Sequence, residues 1–524
     1  MKMEQEVNTE KAQAVSGGIT QATSGAGAQA VNAGRAQYIK MTETPVEKLV
    51  AKLAVPTVIS MMVTNVYNLV DTAFVGMLGN SASGAVGIVF GYMAILQAVG
   101  FLCGQGAGSI MSRSLGNKDL ERATKFTSTG FFMSFIMGTL IGVASFFGLD
   151  RLVYGLGSTP TIAPYAKTYI TWIILAAPFL TASLTLNNLL RYEGRAQLGM
   201  VGLMTGAVLN IGGDAVLIFG CNMGIAGAGI STAVSQTISF LILLGMFLSG
   251  KTQTKIRISS ADFHLKIIGN IIATGFPSLL RQALNSVATI VLNANASLYG
   301  DAAVAAMSIV SRVSFFMMAI AIGIGQGFQP VSSFNYGAGK FDRVKRAYWF
   351  TFGLAEILLV LIVIPVYIWA KPIVRIFRDD VEVVGYAVRA LRLHGAALIL
   401  VPITMVTEMG FQSTGQRVLA TVASSLRSGV IFIPTLVILA HVRGMAGIQE
   451  AQPLAFVLSF FVFLVLSGVF LRQLERAENA TTLAVEGIVD AEGAVAVEGA
   501  VALEDTVAAE GVVAEESIAE EAEG

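Results

Sequence analysis

Residues 79–116, GNSASGAVGIVFGYMAILQAVGFLCGQGAGSIMSRSLG, and residues 300–337, GDAAVAAMSIVSRVSFFMMAIAIGIGQGFQPVSSFNYG, align without a gap at an offset of 221. Gly79 falls on Gly300, Ala85 on Ala306, Ile88 on Ile309, Gly104-Gln105-Gly106 on Gly325-Gln326-Gly327, Ser112 on Ser333 and Gly116 on Gly337. Upstream, Pro56 falls on Pro277; further on, Gly224-Ile225-Ala226-Gly227 falls on Gly444-Met445-Ala446-Gly447 at an offset of 220. One offset held over this length marks an internal duplication. Each copy is built from apolar stretches long enough to cross about 30 Å of hydrocarbon. Six such stretches lie between residues 53 and 248, and six more between 274 and 471. All are expected to be helical, because lipid offers backbone groups no hydrogen-bond partner. Six is even, so both copies enter from the same side and form parallel repeats about an axis along the membrane normal. The fold expected is an all-α polytopic membrane protein of twelve transmembrane helices.

Composition agrees. The 524 residues are 54% hydrophobic and only 13% charged, against about 25% charged in soluble domains. This argues against a soluble enzyme and a nucleic-acid binder. Two cysteines, Cys103 and Cys221, make no disulfide framework, and three histidines leave little for a structural zinc site. No nucleophile or metal constellation of an enzyme is visible, and no cofactor is expected. The net charge of zero conceals a division: residues 477–524 hold thirteen acids and no Lys or Arg, which leaves the rest of the chain at +13.

The expected organisation is a disordered tail over 1–44, a first lobe over 45–249 with spans one to six, a linker over 250–266, a second lobe over 267–475 with spans seven to twelve, and a disordered acidic tail over 476–524. The last is repetitive and low in complexity, and such sequence cannot bury a core. Loops after even-numbered spans are basic, with Arg113, Lys118, Arg122 and Lys125, then Arg191 and Arg195, then Lys251, Lys255, Arg257 and Lys266. The positive-inside rule therefore places both termini in the cytoplasm. Glycine, at 55 residues, reads mainly as close helix packing through small side chains.

Ionisable groups inside spans are functional hypotheses by default. The deep acids of the first half are Asp71 and Asp214; their repeat partners are Leu292 and Pro434. Each acid lies 18 residues into an outward-running span, roughly 27 Å from its cytoplasmic end at 1.5 Å per residue. Tyr67 lies one turn from Asp71, and Asn210 one turn from Asp214, on the same helix faces. Tyr169 and Thr232 fall at similar depth on returning spans. Carboxylates, an amide, a hydroxyl and phenols are what a proton relay or a hard cation such as sodium requires. A neutral packing network is the alternative. In the second half, Arg281 and Glu408 fall at similar depth and are expected to neutralise each other, with Glu356 as the alternative partner.

These stretches resemble the multidrug and toxic compound extrusion (MATE) transporters over about residues 45–475. The resemblance rests on Asn68-Leu69-Val70-Asp71-Thr72-Ala73-Phe74-Val75-Gly76, on Ser112-Arg113-Ser114-Leu115-Gly116-Asn117-Lys118-Asp119, and on Asn187-Asn188-Leu189-Leu190-Arg191. It is completed by Asn210 with Asp214 and by Gly224-Ile225-Ala226-Gly227-Ala228-Gly229. It implies two six-helix lobes around a V-shaped cavity and cation-coupled export of organic compounds. It also implies a first-lobe cation site of Tyr67, Asp71, Tyr169, Asn187, Asn210, Asp214 and Thr232, and a helix kink at Pro56. By depth, Asn187 lies near the cytoplasmic end of its span. Some members bind a cation in the second lobe through an acid in span seven; that span here offers Arg281, Gln282 and Asn285, and no acid.

The function expected is a proton- or sodium-coupled multidrug antiporter of a cell inner membrane, working as a monomer on organic substrates. A lipid-linked oligosaccharide flippase of related architecture, or a non-transporting scaffold, are the alternatives. The second half's arginines suit the flippase's pyrophosphate; the matched acids of the first half argue against both.

Overall fold

The computed structural model describes residues 25–491, which fall into two units divided between Thr44 and Pro45. Of the first unit, α1 (Gly25–Glu43) is described. The expectation of a disordered tail over 1–44 is therefore corrected for these residues. Their Ala, Gln, Arg and Lys content favours a helix. Residues 1–24 lie outside the described residues.

The described part of the second unit consists of helices joined by turns and by the non-helical linker after Leu248. Its first repeat comprises α2 (Val46–Gly76), α3 (Asn80–Gly116), α4 (Leu120–Phe147), the short α5 (Leu149–Gly155), α6 (Ala163–Tyr192), α7 (Ala196–Asp214) and α8 (Gly224–Leu248). A π-helical stretch, Ala215–Gly220, continues α7. The second repeat comprises α9 (Leu265–Ser297), α10 (Asp301–Gly337), α11 (Phe341–Ile368), the short α12 (Ala370–Phe377), α13 (Val381–Leu398), α14 (Val401–Thr414), α15 (Arg417–Ser425), α16 (Phe432–Arg443) and α17 (Met445–Ala491). The duplication is repeated in the helix ends: α10 and α11 begin and end 221 residues after α3 and α4. Gly79 and Gly300, just before α3 and α10, both take positive φ, +115° and +90°, a conformation that costs a side chain dearly.

Among the described residues ten helices are long and apolar enough to cross a membrane, and α13 with α14, bent by 53°, makes an eleventh. The twelfth expected span is α9. Its 33 residues reach about 50 Å, but Arg281, Asn285, Asn293 and Asn295 lower its apolarity. The last helix runs on to Ala491, past the expected tail boundary at 476, so that boundary is corrected too. An ion pair from Lys345 to Glu478 (2.6 Å) anchors the extension. The acidic repeats beyond 491 lie outside the described residues.

Each repeat has an apolar core of its own. One gathers Val89, Leu96, Ile170 and Ile173 from α3 and α6. The other gathers Val310, Leu391, Leu398 and Leu436 from α10, α13 and α16. The two repeats meet at the end of the bundle that carries the basic loops. There the contact is backbone on backbone. A Cβ built at Gly116 would lie 2.1 Å from the Phe334 carbonyl oxygen, and one at Gly337 would lie 2.1 Å from that of Arg113. Because 113 and 116 are the repeat partners of 334 and 337, α3 and α10 cross on the pseudo-twofold axis. The Gly275–Leu102 approach is as close, 1.9 Å to the Leu102 carbonyl oxygen.

Side chains complete this seam. Ser278 donates to Gln105 (2.8 Å), Gln412 donates to Ser278 (2.7 Å), and Gln329 donates to Gln412 (3.1 Å). Ser109 reaches the Gln412 carbonyl (3.0 Å) and Arg113 the Thr414 carbonyl (2.9 Å). Arg191 donates across it to Gln326. The linker does not hang free but is fastened to the first repeat. Ser128 donates to the Lys255 carbonyl (3.0 Å), and the Asp262 N–H donates to Thr129 (3.0 Å).

Candidate functional site

The first repeat gathers a polar cluster from four helices. α2 supplies Tyr67 and Asp71, α6 supplies Tyr169, α7 supplies Asn210 and Asp214, and α8 supplies Ser231 and Thr232. Asp71 is 3% exposed and Asp214 fully buried; Tyr169, Asn210 and Thr232 are buried with them, while Tyr67 is half-buried. The Tyr169 hydroxyl donates to Asp71 Oδ2 at 3.5 Å. Asn210 Nδ2 donates to Thr232 Oγ1 (3.1 Å) and lies 3.4 Å from Ser231 Oγ, which itself donates to the Asn210 carbonyl (3.0 Å). The two carboxylates lie close enough to feel each other's charge, and both phenols lie within their field.

Glycines let the helices come this close. A Cβ at Gly213 would lie 2.6 Å from Ser231 Oγ, one at Gly227 would lie 2.8 Å from the Leu217 backbone, and one at Gly229 would lie 3.1 Å from the Tyr169 carbonyl. This is the packing reason for the run Gly224–Gly229. Asp214 is also the last residue of α7 before the π-helical stretch. Such a bulge changes the register of the helix, so residues beyond Asp214 face differently from a continued α-helix.

Four oxygens of the cluster have no hydrogen-bond donor: Asp71 Oδ1, both oxygens of Asp214, and Asn210 Oδ1. Buried acceptors are nearly always satisfied. Two carboxylates with a spare amide oxygen form a donor set that a proton or a hard monovalent cation would complete.

Asn187 does not join this cluster. It stands 18 residues after Tyr169 on the same helix, about 27 Å away at helical rise, and packs against Gly199 near the start of α7. Pro56 lies inside α2, where its missing N–H leaves the carbonyl four residues earlier without a helical donor. Ser231 belongs to the cluster but was not singled out from the sequence. Its neighbour Thr232 was, and only the crossing of α7 with α8 turns both hydroxyls to Asn210.

In the second repeat, Arg281 from α9 donates to Glu408 Oε1 of α14 at 2.7 Å. Glu408 also takes Arg427 Nε on its other oxygen (2.6 Å) and Ser424 Oγ (2.6 Å). The sequence pair is thus a clamp of two guanidiniums on one buried carboxylate. Glu356 takes no part in it.

A model of the MatE family matches the chain twice, over residues 56–216 and 277–438, once in each repeat. The chain is 28% identical over 396 residues to the multidrug export protein MepA of Staphylococcus saprophyticus, covering 75% of this chain and 87% of that protein. It is 27% identical over 407 residues to MepA of Staphylococcus aureus, covering 78% and 90%. Among solved structures it is similar to an outward-facing multidrug resistance MATE family transporter of the MOP superfamily. There the TM-score is 0.80 at 23% identity, over 84% of this chain and 98% of that one. The fold, the doubled family match and the membrane-spanning helices lead to one assignment: the chain belongs to the MatE family of multi-pass membrane transporters.

Proposed function

We propose that the protein exports organic compounds across the plasma membrane by alternating access, driven by proton or sodium entry through the Asp71/Asp214 pair. The observation that carries this reading is the set of undonated oxygens on two buried, facing carboxylates within one repeat. Loading them with a cation removes a desolvation penalty that the empty, charged pair bears. The first lobe then has two packings of different energy, according to whether the site is filled. The cluster's residues take these roles: Asp71 and Asp214 hold the cation, Asn210 and Thr232 complete its shell, Tyr169 donates to Asp71, and Tyr67 lies beside the pair.

The seam between the repeats supports the remainder. Its closest backbone contacts join the lobes (45–249 and 267–475) toward the basic end, which the positive-inside rule assigns to the cytoplasm together with both termini. A transporter sealed there is poised to release substrate on the far side; parting the seam presents the opposite access. The export of drugs is the named activity of the MepA relatives. Each chain carries a complete pair of lobes, so one chain suffices.

The test is flux of an organic cation in proteoliposomes, with a proton and a sodium gradient imposed separately. Asp71→Asn and Asp214→Asn, isosteric with the protonated acid, are expected to insert and fold but build no substrate gradient. Wild-type accumulation by both variants would refute the coupling role.

A further inference from the structure

Outside the transport path, a cavity of about 900 Å³ opens between the linker and the first turns of α4. Its walls include Lys255, Arg257, Ser259, Ser260, Lys125 and Glu121. Lys125 is committed to Asp262 (3.2 Å), which also binds His264. Lys255 and Arg257 are exposed and form no ion pair among the described residues. Their backbones are nevertheless fixed: Ser128 donates to the Lys255 carbonyl and accepts from the Arg257 N–H (3.2 Å). Two free cations and two serine hydroxyls on an anchored strand make a donor set suited to a phosphodiester.

The rim has the opposite character. Ile258 is 80% exposed, Leu265 is 87% exposed, and Phe263 is half exposed beside them. All three lie in the linker or at the start of α9, beside the first turns of α4. A soluble phosphate would leave these apolar side chains in water. A lipid would cover them with its acyl chains while its headgroup occupied the cavity, the arrangement of basic residues beside apolar ones that marks interfacial segments. Glu121 disfavours a bare, highly charged phosphate but accepts from the hydroxyls of a polyol headgroup.

We propose that this cavity is a binding site for an anionic glycerophospholipid of the phosphatidylglycerol type. Lys255 and Arg257 take the phosphodiester, Glu121 the headgroup hydroxyls, and Ile258, Phe263 and Leu265 meet the acyl chains. The linker joins the two repeats, so the lipid ties their junction to the membrane surface.

The experiment uses the full-length protein in detergent, with phosphatidylglycerol or phosphatidylcholine added. Retained lipid is read by native mass spectrometry and the unfolding midpoint by tryptophan fluorescence. Near a membrane surface each Lys or Arg contributes about 1 kcal/mol to anionic lipid binding. Lys255→Glu and Arg257→Glu are therefore each expected to lower phosphatidylglycerol retention at least about fivefold, and together abolish its stabilisation. Lys371→Glu with Arg378→Glu, a control in the α12 region, is expected to change neither. Both linker residues are exposed, so loss of folding is not anticipated, and the midpoint in phosphatidylcholine checks it. Equal retention of the two lipids, equal loss in the control, or full reproduction of the midpoint shift by soluble glycerophosphate would each overturn the proposal. The last result would assign the site to a soluble anion.

Discussion

Replacing Glu408 by alanine leaves two guanidinium groups facing each other with no counter-charge. Arg281 and Arg427 are 12% and 11% exposed, and each donates to its own carboxylate oxygen at 2.7 and 2.6 Å. Removing the shared partner of a buried pair costs about 3–5 kcal/mol, and here the remaining two cations also repel. Arg281→Ala is different in kind. Glu408 keeps Arg427 and Ser424, the remaining pair is neutral, and the loss is one charge-assisted hydrogen bond, about 1.5–3 kcal/mol. The double change of Arg281 and Glu408 leaves Arg427 alone, one unpaired cation instead of two. The expected order of destabilisation is Glu408→Ala, then the double variant, then Arg281→Ala. Had Arg281 been the sole partner of Glu408, the single Arg281 change would have been worse than the double. Thermal unfolding of the purified variants in one detergent reads this order directly. If Arg281→Ala unfolds at or below the temperature of Glu408→Ala, the two-cation clamp is refuted.

Gly116→Ala and Gly337→Ala should each cost about 1–3 kcal/mol by overpacking and by nearly equal amounts, since each new methyl meets the other repeat's carbonyl. Cysteine-labelling at the basic end should show both variants more accessible there than wild type. Ser231→Ala should lower cation-coupled flux several-fold while leaving folding intact, because Asn210 loses the hydroxyl that holds its carbonyl; unchanged flux would remove Ser231 from the site. Glu193, just past the end of α6, is buried and accepts from the Gln253 N–H and from Thr254 (3.0 Å), yet burial pushes its carboxyl up to about 6. A raised folded value means that its protonated form is the one favoured by folding. The associated stability is therefore complete below about pH 4.5 and lost as pH rises through 6, on the order of 2 kcal/mol in all. Glu193→Gln should flatten the unfolding midpoint across that window; a slope equal to wild type would show that another group titrates there.

The duplication was legible because an ungapped offset constrains every helix in both copies at once, and the helix ends at 116 and 337 follow it. The acids Asp71 and Asp214 stood out because a charge in a lipid-spanning stretch is costly to bury, and depth arithmetic paired them. The same arithmetic separated Asn187, since the spacing along one helix cannot be compressed. What the sequence did not reveal depends on crossing angles. Ser231 is one serine among many until α7 meets α8, and Arg427 becomes a partner of Glu408 only where α14 and the π-helical stretch Leu426–Val430, which follows α15, pack side by side. The apolar stretch from 274 was legible as span seven, although the polar side chains of α9 keep that helix below the apolarity of the others. The continuation of α17 past 476 was hidden by an acidic composition that begins before the helix ends.

The crossing of α3 and α10 has a mechanical consequence. Where two helices meet through side chains, a separation of a few tenths of an ångström is absorbed by rotamers. Here carbonyl oxygens stand against bare Cα atoms, and peptide planes have no torsion to yield. Such a joint is either seated or parted, with little stable travel between. The basic end of the bundle therefore behaves as a latch and not as a spring. Energy delivered at the distant carboxylates would be spent in releasing it in one step, and its two halves, being copies of one another, release together.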